Sequence, residues 1–128
     1  MKLKNKDILK FVNGCTTLRE KRLPVKLGYA IKRNLAAVRD AGNAYDAERQ
    51  ELIEKYAAKG EDGKVLIENE QYSIEDKDGF AKELEELLSI EAEVAIHTVS
   101  EEEIEKCDDA RYDALTVADL ETLEIMTE

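Results

Sequence analysis

The chain has no tryptophan, one proline, one histidine, two cysteines and an aromatic fraction of only 5%. Each scarcity excludes something. Cys15 and Cys107 share no CxxC spacing, and with His97 they make three scattered donors, too few for structural zinc, which takes four. Both thiols are expected to be free and buried, as is usual in a reducing compartment. No apolar run approaches the roughly 20 residues that a bilayer crossing requires. The opening MKLKNKDILK breaks up its apolar residues with Lys and Asp, unlike a secretory signal. A soluble, cytoplasmic protein with no membrane association is therefore expected. Also missing are GxGxxG, GxxxxGK[ST], GxSxG and HExxH. The chain is expected to be no enzyme, with no catalytic residue, cofactor or metal.

What is present is charge. Of 128 residues 38% are charged and 43% hydrophobic, which points to one domain dominated by solvated helices. The net charge of −11 is unevenly spread. Residues 1–34 carry ten Lys and Arg against Asp7 and Glu20, a local +8, and residues 35–128 carry nine against twenty-eight, a local −19. REKRLPVKLGYAIKRN, residues 19–34, holds six cations. On a helix from Pro24, Lys26 and Arg33 lie far from the apolar seam and Lys32 and Arg39 flank it, so the cations surround the helix. Only Tyr29 could stack on a base, and the acidic remainder repels phosphate. The stretch reads as a solvated basic end that pairs with acidic surface, in cis or across an oligomer. Nucleic acid is not the expected partner.

Periodicity organises the rest. From Asn5 to about Arg19, Ile8, Phe11, Val12, Cys15 and Leu18 fall on one helical face. Pro24 then opens a second helix, where its missing N–H costs nothing. Leu27, Ile31, Leu35, Val38, Ala41, Tyr45, Leu52 and Tyr56 form a seam along it, with Ile31, Val38, Tyr45 and Leu52 spaced seven apart. An uninterrupted helix over 24–58 is about 52 Å long at 1.5 Å per residue, more than a small globule covers. Continuity therefore predicts self-association or a partner. The other reading is a break at DAGNAYD, where Gly42 and Asn43 weaken the helix; the continuous helix is preferred.

Beyond residue 60 the period changes. Val65 and Ile67, then Tyr72 and Ile74, alternate around a polar loop as in a β-hairpin, which the DKDG turn closes. Phe80, Leu84, Leu87 and Leu88 mark a third helix. SIEAEVAIHTVS alternates at Ile90, Ala92, Val94 and Ile96, with His97 on the polar side, and is expected to pair with the hairpin. Ser100 with Glu103, and Thr116 with Asp119, have capping-box spacing for two short helices. Leu120, Leu123 and Ile125 are expected to dock the last. The fold class expected is α+β, predominantly helical. Residues 1–128 form a single domain, with a long helical hairpin over 1–59 and, over 60–128, an α+β cap with an antiparallel sheet of about three strands.

LKNKDILKFV, LPVKLGYAIKRNL, YDAERQELIEKYA, GFAKELEELLSIEAEVAI and LTVADLETLEIM together span nearly the whole chain. In this pattern the chain resembles a family of small uncharacterised proteins encoded by tailed phages and prophages. The resemblance implies a phage or prophage gene product in the cytoplasm of a bacterial host, and it carries over no active-site residue.

The functional expectation is a non-enzymatic protein-protein interaction or assembly factor. Its candidate interaction surface is Tyr45, Leu52, Ile53 and Tyr56, facing another protein or a second copy of the chain. The alternative is an acidic host-takeover protein that imitates nucleic-acid charge to block a host or defence enzyme. The Glu and Asp runs at 83–93 and 101–109 would supply its carboxylates.

Overall fold

A strand too short to register in the periodicity starts the fold. In the computed structural model, which describes residues 1–59, 63, 67, 68, 71, 72 and 74–128, β1 (Lys2–Lys4) pairs antiparallel with β4 (Glu91–Glu93). Leu3 sits opposite Ala92, Lys2 opposite Glu93 and Lys4 opposite Glu91. Opposite charges thus face each other on the outer side, and Leu3 is buried on the inner. The Met1 amino group donates to Glu93 at 2.9 Å and to the Val94 carbonyl at 3.0 Å.

The first helix, α1 (Asn5–Leu18), follows its expected period closely. Ile8, Phe11, Cys15 and Leu18 are buried, whereas Val12 stands at the edge of the stripe, 38% exposed. Burial of each larger side chain contributes about 1.5–3 kcal/mol. The C-terminal α6 (Val117–Leu123) packs across α1. Gly14 permits that contact, because a Cβ there would run into the Thr122 side chain. The Thr116–Asp119 capping box forms, at 3.1 and 3.0 Å. Leu123 and Met126 dock the end of the chain, and Leu120, expected to do so, is 46% exposed.

Asp119 also fastens α6 to the far end of α1. Its buried carboxylate accepts from Lys21 Nζ at 2.7 Å and from Thr17 Oγ1 at 3.3 Å. Burial pushes the Asp119 pKa up, but the Lys21 ammonium and the Thr116 donors outweigh it and hold the carboxyl below its ordinary value.

The second helix is not continuous. It divides into α2 (Val25–Ala37) and α3 (Arg39–Tyr56) at Val38, where φ is −92° and ψ −2°. Helical hydrogen bonds run up to Val38 from Asn34 and onward from Val38 to Gly42, at 3.1 and 2.9 Å. The interruption is therefore one residue wide, and Gly42 and Asn43 lie inside α3. Val38 is only 1% exposed and belongs to the same core as Phe11 and Leu27. The hairpin expected over 1–59 is replaced by three helices: α1 lies against α3 and α6, and α2 against α5 (Glu101–Glu105).

Of the expected hairpin the structure describes β2 (Ile67–Glu68) paired antiparallel with β3 (Gln71–Tyr72); Val65 and the polar loop lie outside the described residues. An isolated bridge links Ala57 to Ile74. Among the described residues there are two sheets of two strands each, so the expected three-stranded sheet is corrected: β4 takes the N-terminal strand and not the hairpin. After β4 the alternating segment leaves sheet geometry, and its backbone finds other partners. The buried Asn34 amide accepts from the His97 N–H at 2.7 Å and donates to the His97 carbonyl at 2.9 Å. Val99 donates to the Met126 carbonyl at 2.8 Å and accepts from the Glu128 N–H at 2.9 Å. The last long helix is α4 (Lys77–Leu88), which packs along α3. No helix among the described residues is long and apolar enough to cross a membrane.

Glycine substitution separates propensity from packing. Gly42 has open space where a Cβ would go, so Gly42→Ala is expected to stabilise by about 0.5–1 kcal/mol. Gly14→Ala has the same propensity gain but must force α1 from α6, and is expected to destabilise by about 1–3 kcal/mol. Urea denaturation of the two variants reads the opposite signs. The same assay on Asn34→Ala, which strips both His97 backbone groups of their partner, is expected to show a loss of about 3 kcal/mol.

Candidate protein-interaction surface

α3 and α4 form an amphipathic pair whose apolar faces are incompletely covered. Asp76 caps α4 by accepting from the Gly79 N–H at 3.0 Å. Phe80, Leu84, Leu87 and Leu88 then line one side of the helix, all half-buried, and no residue of α4 is fully buried. Tyr56 meets Phe80 edge to face, with ring centres 5.9 Å apart and planes at 74°.

The four candidate residues divide between inside and outside. Tyr45 and Ile53 are 6% and 2% exposed, covered by the chain itself. That corrects their assignment to a surface for a second chain. Leu52 and Tyr56 are half-buried and stay accessible. Leu52 joins Leu87 and Ile90 in the floor of a groove of about 640 Å³ between the helices. Glu48 and Glu51 of α3, and Glu83 and Glu86 of α4, form its rim with Lys55. Ile90, expected on the buried face of a strand, is 55% exposed at the groove's end.

One polar cluster stiffens the rim. Lys55 Nζ donates to both oxygens of Glu83, at 3.0 and 3.1 Å, and lies 5.2 Å from the Tyr56 ring centre. A hydrogen bond to Glu83 is the chief cause that pushes the Tyr56 phenol up to about 12. The same bond, then that from Lys55, holds the Glu83 carboxyl below its ordinary value. A general acid at neutral pH needs a shift the other way. The arrangement fixes charge in place around an apolar groove floor.

The other reactive groups do not assemble into a centre. The His97 ring is exposed and stacks edge to face on Tyr29 at 6.3 Å. It lines a cavity of about 280 Å³ with Lys26, Ser100 and Glu103, and among the described residues it enters no hydrogen bond. Cys15 and Cys107 are free and buried. Burial is the main cause that raises both thiols, Cys15 to about 11, which disfavours the reactive thiolate. Among the described residues no three His, Cys, Asp or Glu side chains gather as a metal would require.

Half of the basic stretch is tied down in cis. Lys21 pairs with Asp119 at 2.7 Å, Arg22 with Asp113 at 3.2 Å, and Lys26 reaches Glu103 at 4.0 Å. Arg33 lies over the Tyr29 ring at 5.9 Å. Arg19, Lys32 and Arg39 make no ion pair among the described residues. They border a second groove, of about 560 Å³, between the end of α1 and α2.

Sequence reasoning missed Asn34, Glu48 and the Lys55–Glu83–Tyr56 cluster. The i to i+3 step from Leu52 to Lys55 and the YDAERQELIEKY pattern were visible, but the helix that supplies Glu83 is distant in sequence. Comparison with known proteins found no matching family model, curated protein or solved structure.

The Tyr56–Glu83 bond has a pH signature. A raised phenol pKa means that the bond's stabilisation is fully present below the unfolded-state value near 10 and is lost as pH rises through the folded value of about 12. Spectrophotometric titration of tyrosine absorbance, differenced against Tyr56→Phe, is expected to show this phenol ionising above the ordinary value, and nearer to it in Glu83→Gln.

Proposed function

We propose that this chain is a phage- or prophage-encoded, non-enzymatic interaction or assembly factor that works in the cytoplasm of a bacterial host and docks a partner protein in the α3–α4 groove. The observation that carries the reading is the groove itself: leucine and isoleucine left partly uncovered between two packed helices, inside a rim of four glutamates. Apolar area supplies affinity and fixed charge supplies selection, the division typical of protein interfaces. The rim chooses the partner's chemistry, a basic segment that carries apolar side chains. Leu52, Leu87 and Ile90 take its apolar side chains, and Tyr56 stands beside them.

The alternative, mimicry of nucleic-acid charge, has one observation in its favour. Glu48, Glu51 and Glu86 border one groove between two packed helices, beside a Glu83 that Lys55 holds, as an imitation of a phosphate array demands. The run at 101–109 supports it less, because Glu103 pairs with Lys106 at 2.8 Å and Asp109 with Arg111 at 3.1 Å. In this reading the partner is a host or defence enzyme, bound through its nucleic-acid site.

The test is affinity capture from infected or prophage-induced cells after nuclease treatment, with a Leu52→Glu/Leu87→Glu variant alongside. Assembly predicts phage structural proteins that survive a high-salt wash and are missing from the variant's eluate. A nucleic-acid enzyme that is lost at high salt, where charge is screened over a few Å, and that DNA displaces would favour mimicry. Identical recovery by variant and wild type would remove the groove from either role.

A further inference from the structure

A second surface departs from the acidic character of the chain. The groove between the end of α1 and α2 has Leu23, Ile31 and Leu35 in its floor and Arg19, Lys32 and Arg39 on its rim. Leu23 and Leu35 are half-buried and the three cations are exposed. In a chain with 30 acidic and 19 basic side chains, these cations find no carboxylate among the described residues.

Next to the groove stands a ridge of the opposite kind. On α6, Asp119 turns inward and holds Lys21, which itself lines the groove. The outward face carries Val117, 74% exposed, and Leu120, 46% exposed. Glu121 and, one turn on, Glu124 are exposed as well. Val117, Leu120, Glu121 and Glu124 follow the i, i+3, i+4, i+7 spacing, so two apolar and two acidic side chains form one stripe. The stripe has the polarity that the groove lacks.

We propose that the occupant of this groove is a second copy of the chain, which inserts its Val117–Leu120 ridge between Leu23 and Leu35 and sets Glu121 and Glu124 against Lys32 and Arg39. Ridge and groove adjoin across the Lys21–Asp119 pair, so they make one self-complementary patch. A two-fold axis beside that pair puts each ridge into the other copy's groove and closes the assembly at two chains. The arrangement goes beyond the α3–α4 reading and uses none of its residues, which leaves that groove open on both copies of the dimer.

Sedimentation equilibrium over a range of concentrations tests this. Wild type is expected to shift from the mass of one chain to that of two, with weaker association as salt rises. Lys32→Glu/Arg39→Glu and Glu121→Lys/Glu124→Lys change only exposed side chains, and each variant is expected to remain a monomer. Mixed, they are expected to form a heterodimer, because both of its ridge and groove contacts are again of opposite sign. If a reversal variant fails to fold by circular dichroism, the Lys32→Gln/Arg39→Gln and Glu121→Gln/Glu124→Gln pairs replace it, and each is expected to lose dimerisation. Wild type that stays monomeric, variants that keep the wild-type mass, reversed pairs that do not associate on mixing, or species larger than two chains would each overturn the closed dimer. Leu52→Glu/Leu87→Glu is expected to dimerise as wild type does. Loss of dimer in that variant would overturn the independence of the two surfaces, whereas failure of partner capture by a chain that still dimerises would count against the α3–α4 reading alone.

Discussion

The Asn34 side chain meets the His97 peptide much as a neighbouring strand would, one amide exchanging two hydrogen bonds with one residue's N–H and C=O. Residues 91–99 run along the core and bury Val94 and Val99 in it, and every peptide group buried there requires a partner. A full sheet would supply them. Here four separate donors of structure do so: β1 along 91–93, the Met1 carbonyl at Val94, Asn34 at His97, and the C-terminal residues Met126 and Glu128 at Val99. Because the contributors come from three separate parts of the chain, satisfying one short segment fixes the positions of the N-terminus, α2 and the last helical turn together. The apolar core of Phe11, Leu27, Val38, Val94, Val99 and Met126 closes around that frame.

Charge is laid over the frame in two ways. Where a cation lies close to the core it is committed: the Lys21–Asp119 pair is 21% and 4% exposed at its two side chains, and a half-broken pair at such a site is costly. Where cations and acids stand in water, as at Arg111–Asp109, they contribute little to stability. The two grooves differ clearly in the sign of their charge. One is bordered by glutamates on α3 and α4, the other by Arg19 at the end of α1, Lys32 on α2 and Arg39 at the start of α3.

The parts of the fold legible in sequence were the local ones. The α1 stripe, the amphipathic α4 and the Thr116–Asp119 cap depend on neighbours within a turn or two, and they stand where the pattern put them. The break was legible only as a weakness at Gly42 and Asn43, which remain helical; it falls at Val38, a buried member of the apolar seam. Strand character at 90–96 was legible only in part, since the strand is confined to Glu91–Glu93, and its partner was not legible, since KLK and EAE become complementary only once they are set side by side. Asn34 looked like an ordinary polar position beside the seam. The candidate surface was half legible for a geometric reason: Leu52 and Ile53 lie about 100° apart on their helix, so one can line the groove while the other is buried. Distinguishing them required the position of α4.

The close approach of Gly14 to Thr122 bears on how the chain acquires its shape during synthesis. Some partners of the first helices come from the other end of the sequence: Thr17 of α1 bonds Asp119 across 102 positions, and Asn34 of α2 reaches Met126 across 92. As the ribosome extrudes the first helices, α3 can cover part of the α1 stripe, and the part that faces α6 stays uncovered until the segment beyond residue 117 has emerged. Contacts of such high sequence separation slow folding and prolong the exposure of sticky intermediates.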